Sequence, residues 1–216
     1  MGYHQSLRAK IKAQIKKKKS EAMNVFKTEP SCYFVTTMMD KGTYKSAGGR
    51  LSIADAEDLH FDYMLHIQKH LIPRAKSDRA KAIKPMFLFI TETVTKYGSE
   101  HMPHCHGYLW INPSIPRLGS NPLEKLQELT ESYNELKGRQ YRWSHKVADL
   151  KPADNSSRLV SYSTKGLSKF HLSQNEEVAF FDENSLEPFI EKRKRSGIFH
   201  PEGIYNQLRS DALGVN

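Results

Sequence analysis

Residues 85–111 constrain the fold more than any other stretch. "PMFLFITETVT" is apolar, aromatic and β-branched, "KYGSEHMP" reads as a turn or hairpin loop, and "HCHGYLWI" returns as a second strand. Two strands joined this way are expected to pair antiparallel, which puts a sheet at the centre of the chain.

The flanking segments extend that sheet. "SCYFVTTMMD" is a first strand that stops at the turn-forming "DKGTY". Between Leu51 and Ile72 the spacing predicts an amphipathic helix: Ser52 is placed to cap it, Leu59, Tyr63, Ile67 and Leu71 recur every four residues, and Pro73 ends it. "NPLEKLQELTESYNELKGRQ" predicts another helix, with a stripe of Leu123, Leu126, Leu129, Tyr133 and Leu136, terminated by Gly138. A strand, "YRWSHKVADLK", follows and is broken by Pro152. "RLVSYSTKGLSKF" then predicts a short helix that carries Tyr162 and Lys165.

Strand, helix, strand, strand, helix, strand, helix predicts an α+β fold. Its centre is a mainly antiparallel sheet of about five strands flanked by helices, ferredoxin- or RRM-like in arrangement. The organisation read from the sequence is a basic arm or helix over 1–30, a central domain over 31–172, and a C-terminal extension with a basic cluster over 173–216.

Composition narrows the partners. Lysine and arginine exceed aspartate and glutamate by 33 − 24 = 9, a balance that favours a polyanion, nucleic acid before membrane. No apolar run is long enough to span a bilayer and no leader pattern opens the chain, so a soluble, cytoplasmic protein is expected. Two cysteines, Cys32 and Cys105, are too few for a disulfide framework and fit a reducing compartment.

Alternation along a strand puts His104 and His106 on one face, about 7 Å apart, and turns Cys105 to the other. Two imidazoles leave a divalent ion short of ligands. A carboxylate from the neighbouring strand is the natural third donor, and Glu92 at the end of "FLFITE" is placed for it, with Glu100 and His101 as second choices. Two imidazoles and a carboxylate with positions open to water or phosphate oxygens suit Mn²⁺ or Mg²⁺ better than a closed structural zinc. Tyr162 and Lys165, three apart on a helix, share a face, and an ammonium beside a phenol favours phenolate character.

Together, "CYFVTTMMD", "PHCHGYLWI" and "VSYSTKGLSKF" resemble, in order and context, three motifs of the HUH endonucleases, especially single-tyrosine rolling-circle replication initiators. The resemblance covers residues 31–172. It implies a metal held by His104, His106 and Glu92, a nucleophilic Tyr162, and Lys165 orienting or neutralising charge nearby. The implied reaction nicks single-stranded origin DNA of a plasmid or phage, leaves a 5′-phosphotyrosyl link and a free 3′-hydroxyl, and later reseals the strand. Relatives serve transposition and conjugation.

The DNA would be gripped by basic residues such as Lys16, Lys17, Lys18 and Lys19, and by Tyr108 and Trp110, which share strand parity with the two histidines. Core positions on the sheet face are the competing reading for the two aromatics. No G-x-x-x-x-G-K-[ST] phosphate loop occurs, so a separate helicase is expected. Two other classes remain open at this point: a non-catalytic nucleic-acid-binding module, and a zinc-stabilised protein using Cys32 and Cys105.

Overall fold

A computed structural model describes residues 2–39, 53–72, 83–94, 100–141, 147–153 and 181–196. The elements are α1 (Gly2–Phe26), β1 (Ser31–Met38), α2 (Ile53–Leu71), β2 (Met86–Val94), β3 (Glu100–Ile111), α3 (Pro122–Tyr141), β4 (Ala148–Pro152), β5 (Phe181–Asp182) and α4 (Leu186–Ser196). One-turn 3₁₀ helices precede α3 and α4.

The sheet has the order β4-β1-β3-β2-β5, and every pairing is antiparallel. β1-α2-β2 and β3-α3-β4 are therefore two split β-α-β units interleaved in one sheet, the ferredoxin-like arrangement expected from the element order. β5 and α4 come from the stretch read as a C-terminal extension, and β5 lengthens the sheet beside β2.

Alternation along the strands gives the sheet two apolar faces. Tyr33, Val35, Phe87, Phe89, Cys105, Leu109 and Ile111 face α2, α3 and α4, where Leu59, Tyr63, Ile67 and Leu71 supply the stripe expected of α2. Phe34, Met86, Leu88, Ile90, Tyr108 and Trp110 form the second face, beneath Ile11, Ala22 and Phe26 of α1. The basic N-terminal segment is thus a helix packed on the sheet.

Lys18 interrupts α1's buried stripe yet is only 6% exposed. Its Nζ lies 3.1 Å from Glu21 Oε2, 3.1 Å from Asp182 Oδ2 and 2.8 Å from Glu183 Oε1. Burial opposes the charge, but the three carboxylates outweigh it and raise the Lys18 pKa. Glu183 Oε2 also accepts the Phe87 N–H at 3.1 Å, so one lysine ties α1 to the β5 edge.

Three boundaries differ from the sequence reading. α3 runs through Gly138 to Tyr141, because a mid-helix glycine costs only about 1 kcal/mol and tertiary contacts hold this turn. Lys137 Nζ is buried 2.8 Å from Asp62 Oδ2, and Asn134 Oδ1 accepts the N–H groups of Val147 and Ala148. Consequently β4 begins at Ala148, not at Tyr141, and Pro152 is its last residue. β3 begins at Glu100, so the "EHMP" expected in a loop is strand. Ser52 lies outside the described residues.

His60 gives the core a pH dependence. It is fully buried, shares a 2.8 Å hydrogen bond between Nδ1 and Thr37 Oγ1, and packs tilted against Phe89 with ring centroids 4.2 Å apart. Burial, with a smaller contribution from His106, lowers its pKa to about 3. Unfolded, the ring takes a proton near pH 6.5, whereas folded it resists until about 3, so the unfolded chain binds more protons between those values. Stability should therefore fall as pH drops from about 6.5 towards 3, by up to roughly 1.4 kcal/mol per pH unit from this group. Urea midpoints of the wild type and His60→Gln between pH 7 and 4 check this: the variant should show the shallower acid limb.

Candidate metal centre

The two central strands and their neighbour build one site. Antiparallel register sets Glu92 of β2 directly opposite His104 of β3, and Ile90 opposite His106. Parity then aims Glu92, His104 and His106 from the same face, the one that α1 partly covers. Directly paired side chains on one face meet naturally, and here three donor-bearing ones converge.

His104 Nε2 is 3.2 Å and His106 Nε2 3.3 Å from Glu92 Oε2, and the two Nε2 atoms are 3.1 Å apart. Glu92 is 1% exposed, His104 5% and His106 2%. No other group of three His, Cys, Asp or Glu among the described residues brings its donor atoms this close together.

The chemistry of this donor set fits a divalent cation. Neither Glu92 oxygen makes a well-aligned hydrogen bond, although both are buried, so the imidazole contacts are ion-pair distances without good donor geometry. A buried carboxylate without aligned donors is costly, and a cation held by it and by the two imidazoles would offset that cost. Burial alone would raise the Glu92 pKa. The two imidazoles, with Nε2 atoms 3.2 and 3.3 Å from Oε2, outweigh it and hold the carboxyl at about 2. The group is ionised at neutral pH, as ligation requires.

β1 supplies a residue that the sequence reading missed. Thr36 pairs with His106 in the β1–β3 register, and its Oγ1 lies 2.9 Å from His106 Nδ1. For Nε2 to offer its lone pair to a metal, Nδ1 must carry the proton, and Thr36 Oγ1 then accepts it, fixing tautomer and ring orientation together. Phe34 stacks on the same imidazole with centroids 5.6 Å apart. Thr36→Val, which keeps the shape and deletes the hydroxyl, should weaken Mn²⁺ binding about 10–100-fold, and Thr36→Ser should restore it, as read by calorimetry.

Cys105 points to the other face. Its Sγ lies 3.5 Å from both Thr91 Oγ1 and the Ala56 carbonyl, and burial pushes its thiol pKa up, so it is no thiolate at neutral pH. Burial likewise pushes Cys32 up to about 12, against the charge of Lys19. Both thiols are free. The centre is two imidazoles and a carboxylate, without sulfur.

The remaining candidates separate. Tyr108 and Trp110 are core residues beneath α1, stacked on each other at 5.9 Å, which leaves no open ring face for a base. Lys18 is the buried ion-pair lysine described above, not an exposed cation. Lys16, Lys17 and Lys19 lie on the exposed side of α1, Lys17 3.9 Å from Glu21 and Lys19 2.6 Å from Glu29. Glu100 belongs to β3, paired with Val94, whereas Glu92 is the carboxylate that joins the histidines. Tyr162 and Lys165 lie outside the described residues. No helix among the described residues is long and apolar enough to cross a membrane.

Comparison with protein-family models, with characterised proteins and with solved structures returns no significant match for this chain.

Proposed function

We propose that this chain is a metal-dependent DNA nickase and strand-transferase of the HUH type, acting as a rolling-circle replication initiator for a plasmid or phage. The observation that carries the reading is the convergence of Glu92, His104 and His106 on one face of a ferredoxin-like antiparallel sheet, upstream of a Tyr-x-x-Lys sequence. Cytoplasmic, single-stranded origin DNA is the substrate, and a separate helicase opens the duplex.

Glu92, His104 and His106 would hold Mn²⁺ or Mg²⁺, which would supply polarisation of the scissile phosphate and neutralisation of charge developing on it. Thr36 keeps the His106 ring in the ligating tautomer. The Tyr162 hydroxyl attacks phosphorus, the P–O3′ bond breaks, and the departing 3′-oxygen gains a proton while the 5′-phosphate stays on tyrosine. The bond energy is retained in that ester, so a 3′-hydroxyl can later attack it, reseal the strand and release Tyr162. Lys165 offsets phosphate charge beside the nucleophile.

Two rival readings lose support at named residues. A non-catalytic module that reads single strands on its sheet needs exposed aromatics on the central strands, and Tyr108 and Trp110 are buried. A structural zinc protein needs thiolates in the donor set, and Cys105 faces away from it.

Conversion of circular single-stranded DNA carrying the replicon's origin to linear product, in Mn²⁺ and in chelator, tests the proposal. Linear product with a free 3′-hydroxyl is expected in Mn²⁺ alone, and its loss is expected in His104→Ala and His106→Ala. Nicking that persists in both variants would remove the metal centre from the reaction.

A further inference from the structure

We propose that Lys151 forms a phosphate subsite beside the metal centre and takes a non-scissile phosphate of the single strand being cut; this rests on the nicking reading above. Lys151 is an exposed residue of β4, an edge strand of the sheet. Its Nζ lies 5.6 Å from the centroid of the Phe34 ring, and Phe34 in turn stacks on His106. The ammonium is therefore turned inward along the site face, one side chain removed from a metal-ligating imidazole.

The register defines the path. Asp149, Thr36 and His106 form one row across β4, β1 and β3, and Lys151, Phe34 and Tyr108 form the next row on the same face. Rows on one face are about 7 Å apart, so Lys151 lies one row along the sheet and two strands across from His106. α1 lies over β2 and β3, with Ile11 and Ile15 against Leu88, Ile90 and Tyr108. Lys151 stands on the other flank, on β4, two strands from β3.

Among the described residues, Lys151 Nζ makes no hydrogen bond or ion pair, although the exposed carboxylate of Asp149 is two residues away on the same face. A cation held over a ring, with no hydrogen bond or ion pair among the described residues, next to a site for a phosphodiester is suited to a phosphate oxygen. The ordinary alternative is an edge-strand lysine that discourages sheet-to-sheet pairing. A charge of either sign serves that purpose, whereas a phosphate accepts only a cation.

That difference sets the test. A fluorescein-labelled, mixed-sequence single-stranded oligonucleotide is titrated with the full chain in chelator, from about 50 to 200 mM salt, because phosphate contacts are independent of sequence. Lys151→Ala should weaken binding about three- to tenfold at low salt and lower the slope of log K against log salt by about 0.7. Lys151→Glu should weaken it further, Lys151→Arg should stay near wild type, and Mn²⁺ affinity should be unchanged in all three.

Wild-type affinity and slope in both Lys151→Ala and Lys151→Glu would overturn the subsite, whether or not the chain nicks DNA. A wild type that does not bind the oligonucleotide overturns the subsite and the nicking reading together. Lys151-dependent binding with no nicking in Mn²⁺ would keep the subsite and overturn only the reaction.

Discussion

Glu92→Gln should leave the fold standing and remove the metal. The amide is nearly isosteric with the carboxylate, and a neutral group costs less to bury than a charge whose two oxygens lack aligned donors, so the metal-free variant should melt no lower than the metal-free wild type. Metal affinity is another matter, because Glu92 supplies the one anionic donor of the three. Mn²⁺ binding should weaken at least about 100-fold, beyond the roughly 10–100-fold expected when an outer partner such as Thr36 is lost.

Thermal shift reads both effects at once. Mn²⁺ at about 100 times its Kd should stabilise the wild type by roughly 2.7 kcal/mol, or about 5–10 °C in Tm for a chain of this size. Glu92→Gln should show almost none of that rise. An equal rise in both proteins would move the metal to other residues.

Gly107→Ala carries the second large effect, and it acts through the backbone. Gly107 sits between His106 and Tyr108, opposite Phe89 in the β2–β3 register. A Cβ added there would lie 2.7 Å from Phe89 Cβ and 2.9 Å from the Leu88 carbonyl oxygen. Neither neighbour is the end of a flexible side chain, so β2 and β3 must separate or shift. A loss of about 1–3 kcal/mol is expected, or roughly 2–12 °C in Tm.

The same displacement reaches the metal centre, because Glu92 stands on β2 while His104 and His106 stand on β3. Gly107→Ala should therefore also weaken Mn²⁺ binding, although it touches no ligand. A variant with wild-type Tm and Mn²⁺ affinity would mean that the two strands are not in this close contact.

Much of the site was legible because strand parity is a local rule. It places His104 and His106 together and turns Cys105 away from one short string of residues, and the hairpin brings Glu92 within reach. Thr36 lay within reach of the same rule, since "FVTT" reads as strand, but pairing it with His106 needs the β1–β3 register, which spans 70 residues of sequence.

The covered face was less legible for the same reason. Whether Tyr108 and Trp110 are core or a stacking platform depends on what lies above them, and the answer is α1, whose Ile11 and Ala22 are separated by a run of lysines. Lys18 reads as one more surface charge until Asp182 and Glu183 arrive from 164 and 165 residues away. Gly138 reads as a helix stop because glycine usually marks one, and here Lys137 and Asn134 hold the turn through tertiary contacts.

The central claim is that a buried Glu92/His104/His106 centre serves attack by Tyr162 on a DNA phosphate. Peptide mapping of the product formed with single-stranded origin DNA in Mn²⁺ tests it most directly: after nuclease and protease digestion, mass spectrometry locates any nucleotide left on the protein. The account predicts one nucleotide-bearing peptide, modified at Tyr162, present in Mn²⁺, absent in chelator, and absent in Tyr162→Phe and Glu92→Gln. A nucleotide attached to another residue, or attached to Tyr162 equally well in Glu92→Gln, would contradict it.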